Sequence, residues 1–272
     1  MVGWNERLED WRMLRRLAPA GAFAAFRDAP DVSIVGTCIG IDYGGFAWIA
    51  MMLVDPEYRG RGIGRRLLEA AMDAVPANLP IRLDATPLGR PLYQQYGFQD
   101  EAALSRYVVD RNVADLPDAD VPPAIRRLMR DDLKLVIAQD HETFGGTRDI
   151  LLEWMLRGAP QYAYATSGDD GRIHYCLGRQ GRVFDQIGPV VAGDEDIAHA
   201  LVKAALASTG DRRVAMDVYD RHRAFAATLR DNRFGIERPL FRMCRAAASG
   251  ACNRSIGPGD VREFATLGPE FA

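Results

Sequence analysis

One short segment of the chain combines glycines, arginines and the start of an apolar helix in an order suited to binding phosphate. Residues 59–65 read Arg-Gly-Arg-Gly-Ile-Gly-Arg, and Asp55-Pro56 separates them from the apolar stretch before. A helix N-terminus leaves its first N–H groups unpaired and carries about half a positive charge. Glycines leave those amides open and allow positive φ. The segment therefore predicts a turn that holds a phosphate or diphosphate at the start of a helix.

Other interpretations of the glycine pattern fit its spacing less well. The sequence contains no GxxxxGK[ST] motif, so a Walker-type NTPase is not indicated. Gly60, Gly62 and Gly64 alternate, and no acidic residue ends a following strand at the distance that a Rossmann dinucleotide site requires. A tight strand–helix turn with solvated arginines is the structural alternative. The order of strand, proline stop, arginines and apolar helix favours phosphate binding.

The first part of the chain alternates strand and helix signals around this turn. Ile63, Leu67 and Leu68 begin a helical apolar pattern, and Pro76 ends it. Runs rich in β-branched and aromatic residues between Gly, Pro and Asp breaks predict strands. The sequence predicts helices at 5–17, 63–75 and 89–96, and strands at 22–26, 32–41, 45–54, 81–84 and 103–110.

The second part repeats this order of elements, with Phe98 and Phe234 as counterparts, which suggests an internal duplication. Helices are predicted near 131–139, 147–156, 194–207 and 222–230, and strands near 162–166, 172–178, 182–187, 214–218 and 236–244. A polar, Pro-rich stretch separates the two parts. The predicted organisation is a first domain at 1–112, a linker at 113–122, a second domain at 123–248 and a C-terminal surface tail at 249–272.

Composition and charge narrow the classes of function. The 272 residues are 48% apolar and 26% charged, an ordinary globular balance that favours two domains. Thirty-four basic and 37 acidic residues give a net charge of -3, which argues against nucleic acid as a partner. No apolar run approaches the ~18–20 residues that a membrane span requires, so no membrane partner is expected.

The cysteines and histidines show no pattern of metal ligands. Cys38, Cys176, Cys244 and Cys252 form no CxxC pair, and the four histidines share no metal-ligand spacing, so no metal is expected. The residues after Met1 form no apolar signal core. These features favour reduced thiols and a cytoplasmic location. A secreted protein with two disulfides is the alternative.

Two motifs in the first part resemble signatures of the GNAT N-acetyltransferase superfamily. Residues 54–64, Val-Asp-Pro-Glu-Tyr-Arg-Gly-Arg-Gly-Ile-Gly, are similar to its acetyl-CoA pyrophosphate loop, Arg/Gln-x-x-Gly-x-Gly/Ala. Residues 91–98, Pro-Leu-Tyr-Gln-Gln-Tyr-Gly-Phe, are similar to its Leu-Tyr-x-x-x-Gly-Phe helix. Residues 84–93 and the long second half further resemble a tandem-domain subgroup. The resemblance implies an α/β fold of the α+β type with a mixed sheet, built as two tandem GNAT-like acetyltransferase domains.

The resemblance also implies which residues form the site. The backbone of Leu53 and Val54 would bond the pantetheine and the thioester carbonyl, in a strand that splays from its neighbour. Tyr93 matches the tyrosine placed near the CoA sulfur, where a phenol with a pKa near 10 can protonate the departing thiolate. A packing role for a half-buried Tyr93 is the alternative. The amides expected to hold the pyrophosphate belong to Arg59, Gly60, Arg61, Gly62, Ile63, Gly64 and Arg65.

The implied activity is transfer of an acetyl group from acetyl-CoA, as co-substrate, to a primary amine of a small-molecule or amino-acid-like acceptor by direct attack. Self-association as a homodimer is an open option. The motifs do not identify the general base, for which Asp42, Glu57 and Asp84 are candidates. Two alternatives stay open: an acyl-CoA-binding sensor without acetyl transfer, and a structural protein that binds phosphate.

The sequence departs from the family pattern at several positions. Thr86 stands where relatives often have Asn. The resemblance leads us to expect a strand and a helix before the part corresponding to Trp4–Leu17, and whether Met1 is the native start stays open. In the second half an acidic run, residues 194–196, stands opposite the Arg/Gly segment, where it would stabilise a helix but repel phosphate. Leu229 occupies the counterpart of Tyr93, and Arg233-Phe234 replaces Gly97-Phe98. One cofactor site, in the first domain, is therefore expected.

Overall fold

The computed structural model describes residues 5–27, 32–110, 125–168, 171–247 and 262–272. The expected linker at 113–122 lies outside these ranges. The described chain divides into two compact units. The first contains the described parts of residues 1–101, 242–252 and 269–272, and the second those of residues 102–241 and 253–268. Both units mix helices with parallel and antiparallel strands, as the mixed α/β class predicts.

The first unit surrounds the Arg/Gly segment with strands and helices close to their predicted positions. Strand order is β1-β2-β3-β4, followed by β11, whose residues 242–245 belong to this unit. Strands β1, β2 and β3 pair antiparallel, and β4 joins β3 in parallel. The elements are α1 (Leu8–Leu17), β1 (Ala22–Arg27), β2 (Ser33–Asp42), β3 (Ala47–Val54), α2 (Ile63–Asp73), β4 (Ile81–Ala85) and α3 (Arg90–Gln95).

Helix α2 packs on the sheet because its apolar positions recur on one face. Leu67, Leu68 and Ala71 are buried, whereas Arg65 and Arg66 on the opposite face are exposed. A Cβ built on Gly36 of β2 would lie 2.9 Å from the Leu67 side chain, so the helix lies close against this strand. This contact holds α2 against β2.

The second unit has the strand order β11-β5-β10-β12-β9-β8-β7-β6. Its core is apolar and includes Ile187, Leu201, Met216 and Phe225, all fully buried. The elements are β5 (Gln99–Val109), β6 (Arg126–Arg127), α4 (Leu133–Phe144), α5 (Asp149–Gly158), β7 (Tyr164–Ser167), β8 (Ile173–Arg179), β9 (Asp185–Val191), α6 (Glu195–Leu206), β10 (Val214–Tyr219), α7 (Arg223–Asp231), β11 (Gly235–Arg245) and β12 (Glu263–Thr266).

Each unit contains the same type of backbone turn after a helix, in agreement with the expected duplication. The Phe98 amide donates to the Tyr93 carbonyl at 3.2 Å, and the Phe234 amide donates to the Leu229 carbonyl at 3.0 Å. The residue before each phenylalanine has positive φ: Gly97 at 80° and Arg233 at 65°. The same backbone turn therefore follows α3 and α7, although the residues that form it differ.

Two expectations are wrong: that the C-terminal residues form a surface tail, and that all the cysteines are reduced. The described part of the predicted surface tail, residues 262–272, is mostly buried and contains the strand β12. The strand has four residues, too few to carry a periodic signal, and its pairing partners lie far away in sequence. Cys244 is disulfide-bonded, whereas Cys38 and Cys176 are free and buried. Cysteine pairing depends on approach in space, which spacing along the sequence does not show.

Candidate active site

The Arg/Gly turn, residues 59–62, connects β3 to α2. Asp55 follows β3, and its Oδ1 accepts a hydrogen bond from the Glu57 amide at 3.0 Å, which starts a short 3-10 turn. Gly60 and Gly62 then adopt φ values of 76° and 77°. A Cβ built on either glycine would meet no atom within 4 Å, so the backbone conformation requires glycine and the space beside it is open.

Helix α2 begins at this turn without a capping side chain. Gly62 is the N-cap, no side chain bonds the first amides, and the first turn contains no acidic residue. The unpaired N–H groups and the positive end of the helix dipole therefore face an open space. Gly64 serves a different purpose, because a Cβ there would lie 3.3 Å from Cε of Met52 and 3.5 Å from Cγ2 of Val54. The lack of a Cβ at residue 64 allows the helix to lie close to β3.

The arginines of this segment fold back onto neutral acceptors. Arg59 Nε donates to the Val54 carbonyl at 3.2 Å, and Arg61 Nη2 donates to the Glu57 carbonyl, also at 3.2 Å. Arg65 Nη2 donates to Oε1 of Gln95 at 2.6 Å. Within the described ranges none of the three pairs with a carboxylate, so their positive charges remain available to attract an anion.

Beside the turn, β3 separates from β4. The two strands pair in parallel only at Ala47–Ile81 and Trp48–Arg82, whereas β3 remains paired to β2 as far as Val54–Gly36. A strand gap between β3 and β4 therefore runs beside residues 49–54. It contains the backbone of Leu53 and Val54, the positions implied to bond the pantetheine, and it leads to the Arg/Gly turn.

A β-bulge interrupts β3 within the strand gap. Ala50 pairs with Ile39 and Leu53 with Thr37, so Met51 and Met52 both stand opposite the single residue Cys38. Met51 has φ of 51°, a left-handed conformation that side chains disfavour. The Thr37 hydroxyl donates to the Met51 carbonyl at 2.8 Å. The sequence gives no signal for this bulge, because its positive φ falls on a methionine and its partner is an ordinary strand threonine.

Tyr93 is buried on α3 and lies near the bulge. Its ring meets Phe98 edge-on at a centroid distance of 5.9 Å. Burial raises the pKa of the Tyr93 phenol well above its ordinary value, and the charge of Cys38, opposite the bulge, raises it further. Burial also raises the pKa of the Cys38 thiol to about 12. Both groups are therefore protonated at neutral pH, and Tyr93 can donate a proton but not accept one.

The first unit thus brings together the three parts that the sequence implied: the turn, the splayed strand and the tyrosine. Two models of the acetyltransferase (GNAT) domain match the chain, one over residues 20–100 and the other over residues 136–255. The chain belongs to the GNAT acetyltransferase family. Its two GNAT domains stand in tandem, and acetyl transfer is the activity of the family.

Individual relatives agree with the family assignment. The uncharacterized N-acetyltransferase YitH of Bacillus subtilis (strain 168) is 27% identical over 223 residues, 81% of this chain and 76% of that protein. A putative acetyltransferase from Pyrococcus horikoshii has a TM-score of 0.70 at 23% identity, covering 96% of this chain and 84% of that one. A tandem GNAT protein from the clavulanic acid biosynthesis pathway has a TM-score of 0.58 at 18% identity, covering 89% and 88%. These two structures share the fold.

The second GNAT domain lacks the open helix start of the first. Asp194 is the N-cap of α6, and its Oδ1 accepts a hydrogen bond from the Ile197 amide at 2.8 Å. Glu195 and Asp196 add negative charge to the first turn. A phosphate would therefore be repelled here, whereas the start of α2 offers it free amides.

The strand gap of the second GNAT domain is filled by the chain itself. Strands β9 and β10 pair in parallel only at Asp185–Val214 and Gln186–Ala215, which repeats the two-pair pattern of β3 and β4. Beyond that point β12 lies between them, antiparallel to both. In the first GNAT domain β3 and β4 remain direct neighbours, and no strand from the described residues enters between them.

Side chains hold β12 in that gap. Glu263 Oε2 accepts from the Tyr219 hydroxyl at 3.0 Å, and the Glu263 carbonyl is 2.9 Å from Nε2 of His222. The Phe264 ring stacks on the His222 ring with centroids 3.9 Å apart. All four residues of β12 are buried. The strand is therefore an integral part of this domain.

The three candidate bases, Asp42, Glu57 and Asp84, differ in burial and in their hydrogen-bond partners. Both Asp84 oxygens accept hydrogen bonds from Arg242 at 2.8 Å in a fully buried pair, so Asp84 is structural and the expectation that it could act as a base is wrong. Asp42 Oδ1 accepts from the Gly44 amide at 2.7 Å in an exposed turn. The Glu57 side chain is exposed beside the Arg/Gly turn. Neither position identifies a base.

The described ranges contain neither a cluster of metal ligands nor a helix that could span a membrane. They hold no group of His, Cys, Asp or Glu side chains arranged to bind a metal ion. No helix in those ranges has both the length and the apolar character that crossing a membrane requires.

Proposed function

We propose that this chain transfers an acetyl group from acetyl-CoA to a primary amine of a small-molecule or amino-acid-like acceptor, using one cofactor site in the first GNAT domain. The observation that carries the proposal is the uncapped start of α2, which follows two positive-φ glycines with open space beside them. Domain bounds of 1–112 and 123–248 are part of the proposal, with β12, residues 263–266, added to the second domain.

The proposed cofactor contacts follow the turn and the strand gap. The amides of residues 59–65 would bind the pyrophosphate, because those at the start of α2 have no capping side chain and lie at the positive end of a helix. The Arg59 amide, which donates to the Pro56 carbonyl at 3.4 Å, would exchange that bond for the ligand. Arg59, Arg61 and Arg65 would add positive charge, since none of them pairs with a carboxylate among the described residues. The backbone of Leu53 and Val54 would bond the pantetheine, which needs an extended groove such as the strand gap.

The proposed chemistry is direct attack of the amine on the thioester carbonyl carbon. A C–N bond forms while the C–S bond breaks, and the amine loses a proton to water or to a base that the site does not identify. Backbone N–H groups along the strand gap would stabilise the developing oxyanion. Tyr93 would protonate the sulfur: burial raises the pKa of its phenol, which keeps the proton on the hydroxyl at neutral pH and also makes the phenol a weaker acid.

The filled gap and the acidic helix start argue for a single cofactor site. In the second GNAT domain the pantetheine path is occupied by β12, and the pyrophosphate position is next to Asp194. We propose that this domain supports the acceptor cleft or an interface and binds no acetyl-CoA.

A thiol-release assay tests the proposal. We expect the chain to release CoA thiol from acetyl-CoA only when an amine from a panel of small amines and amino acids is present, and mass spectrometry should find the matching acetylated amine. If the chain binds acetyl-CoA but acetylates no member of the panel, an acyl-CoA sensor becomes the better description. If inorganic diphosphate binds as tightly as CoA, a phosphate-binding structural protein is favoured.

A further inference from the structure

We infer that Thr37 is a positioning residue for acetyl transfer, because its hydroxyl aims the Met52 amide into the strand gap. The inference rests on the proposed function and adds a residue to it. Thr37 lies on β2, outside both sequence motifs. Its hydroxyl donates to the Met51 carbonyl at 2.8 Å, at the point where β3 bulges.

The bulge needs support because Met51 adopts a conformation that residues with a Cβ rarely occupy. Its φ is 51°. A bulge also removes regular ladder bonds at the extra residue, so β2 holds this part of β3 less firmly than the rest. The side-chain hydrogen bond from Thr37 gives the Met51 carbonyl a partner on β2 and restricts the rotation of the peptide between Met51 and Met52.

Fixing that peptide also fixes an N–H direction. A trans peptide is planar, and its C=O and N–H point in opposite directions. Because the Met51 carbonyl points to Thr37 on β2, the Met52 N–H points away from β2. The strand gap lies on that side of β3, since the strand order is β2-β3-β4. The Met52 amide is thereby held as a donor for an oxyanion that forms in the gap.

The same hydrogen bond lies close to the proposed acid. Cys38 follows Thr37 on β2 and stands opposite Met51 and Met52 of the bulge. It also raises the pKa of Tyr93. A shift of the bulge would therefore change the distance between the oxyanion donor and the phenol. A loss of Thr37 should appear in the chemical step more than in cofactor binding, since the Arg/Gly turn is left intact.

The test compares Thr37→Val, which keeps the branched shape and removes the donor, with Thr37→Ser, which keeps the donor. We expect the valine variant to lower kcat about tenfold, with KM for acetyl-CoA nearly unchanged. This drop is smaller than the drop in kcat that follows complete loss of an oxyanion donor. The serine variant should stay within about twofold of wild-type kcat. Thr37→Ala, which also lacks the hydroxyl, gives a second measurement should the valine variant fold poorly.

Several outcomes overturn the inference. It is wrong if the valine and alanine variants match wild-type kcat, if serine loses as much as valine, or if the loss appears only in KM for acetyl-CoA. An inactive wild-type chain contradicts the proposed function itself, and the role of Thr37 fails with it. An active wild type with unaffected Thr37 variants contradicts the role of Thr37 alone.

Discussion

Tyr93→Phe should lower kcat by about 100-fold, the lower end of what a positioned general acid contributes. The phenylalanine keeps the ring that packs on Phe98 and removes the hydroxyl that would protonate the CoA sulfur. Cofactor affinity should stay within about threefold, because the substitution removes an interaction made in the transition state. Steady-state kinetics and calorimetric titration with CoA measure the two quantities separately.

The matched control is Tyr96→Phe, three positions further along the chain. The Tyr96 hydroxyl donates to Oε1 of Glu69 at 2.6 Å near the protein surface, so its loss should leave kcat close to that of the wild type. Equal turnover by Tyr93→Phe and the wild type would remove Tyr93 as the acid. Because burial raises its pKa, turnover should also show no loss from Tyr93 ionisation below about pH 10, the ordinary pKa of a phenol.

Arg242→Met should lower the free energy of unfolding by about 3–5 kcal/mol, the usual consequence of leaving a buried charge without its partner. Arg242 and Asp84 are fully buried and joined by two hydrogen bonds of 2.8 Å. The Arg242 guanidinium also lies 4.8 Å from the centre of the Trp48 ring. Urea unfolding followed by tryptophan fluorescence measures the loss.

Two further variants separate a charge effect from a packing effect. Combining Arg242→Met with Asp84→Leu removes both charges, and this double variant should be more stable than Arg242→Met alone. Asp100→Ala breaks the half-exposed pair with Arg90 and should change stability far less. If Arg242→Met and Asp100→Ala lose the same small amount, the buried pair does not stabilise this unit.

The local parts of the fold could be predicted from the sequence. The start of α2 depends on glycines, arginines and an apolar repeat that are adjacent in the chain, and the helix begins at Ile63 as expected. The repeated order of elements predicted two related domains, and the matching turns at Phe98 and Phe234 agree with it. Such patterns involve only residues that are close in the chain, so local propensity and periodicity are enough to predict them.

The parts that depend on distant contacts could not be predicted. Arg242 and Asp84 are 158 positions apart, and nothing near either residue indicates the pairing. The bulge at Met51 arises from the register of two strands. Strand β12 follows a Gly/Pro-interrupted stretch, and its burial depends on a gap that the sequence does not display. The Tyr93 environment likewise depends on Cys38, which belongs to another strand.

Calorimetric titration with CoA tests most directly whether the amides of residues 59–65 bind the pyrophosphate. We expect one site per chain, and about tenfold weaker binding by Gly62→Ala, because alanine depopulates the positive-φ turn. Gly44→Ala is the matched control, since Gly44 has φ of 81° and equally open space but lies in the hairpin between β2 and β3. It should bind CoA as the wild type does. Absence of binding heat, two sites per chain, or wild-type affinity in Gly62→Ala would contradict the cofactor site proposed at this turn.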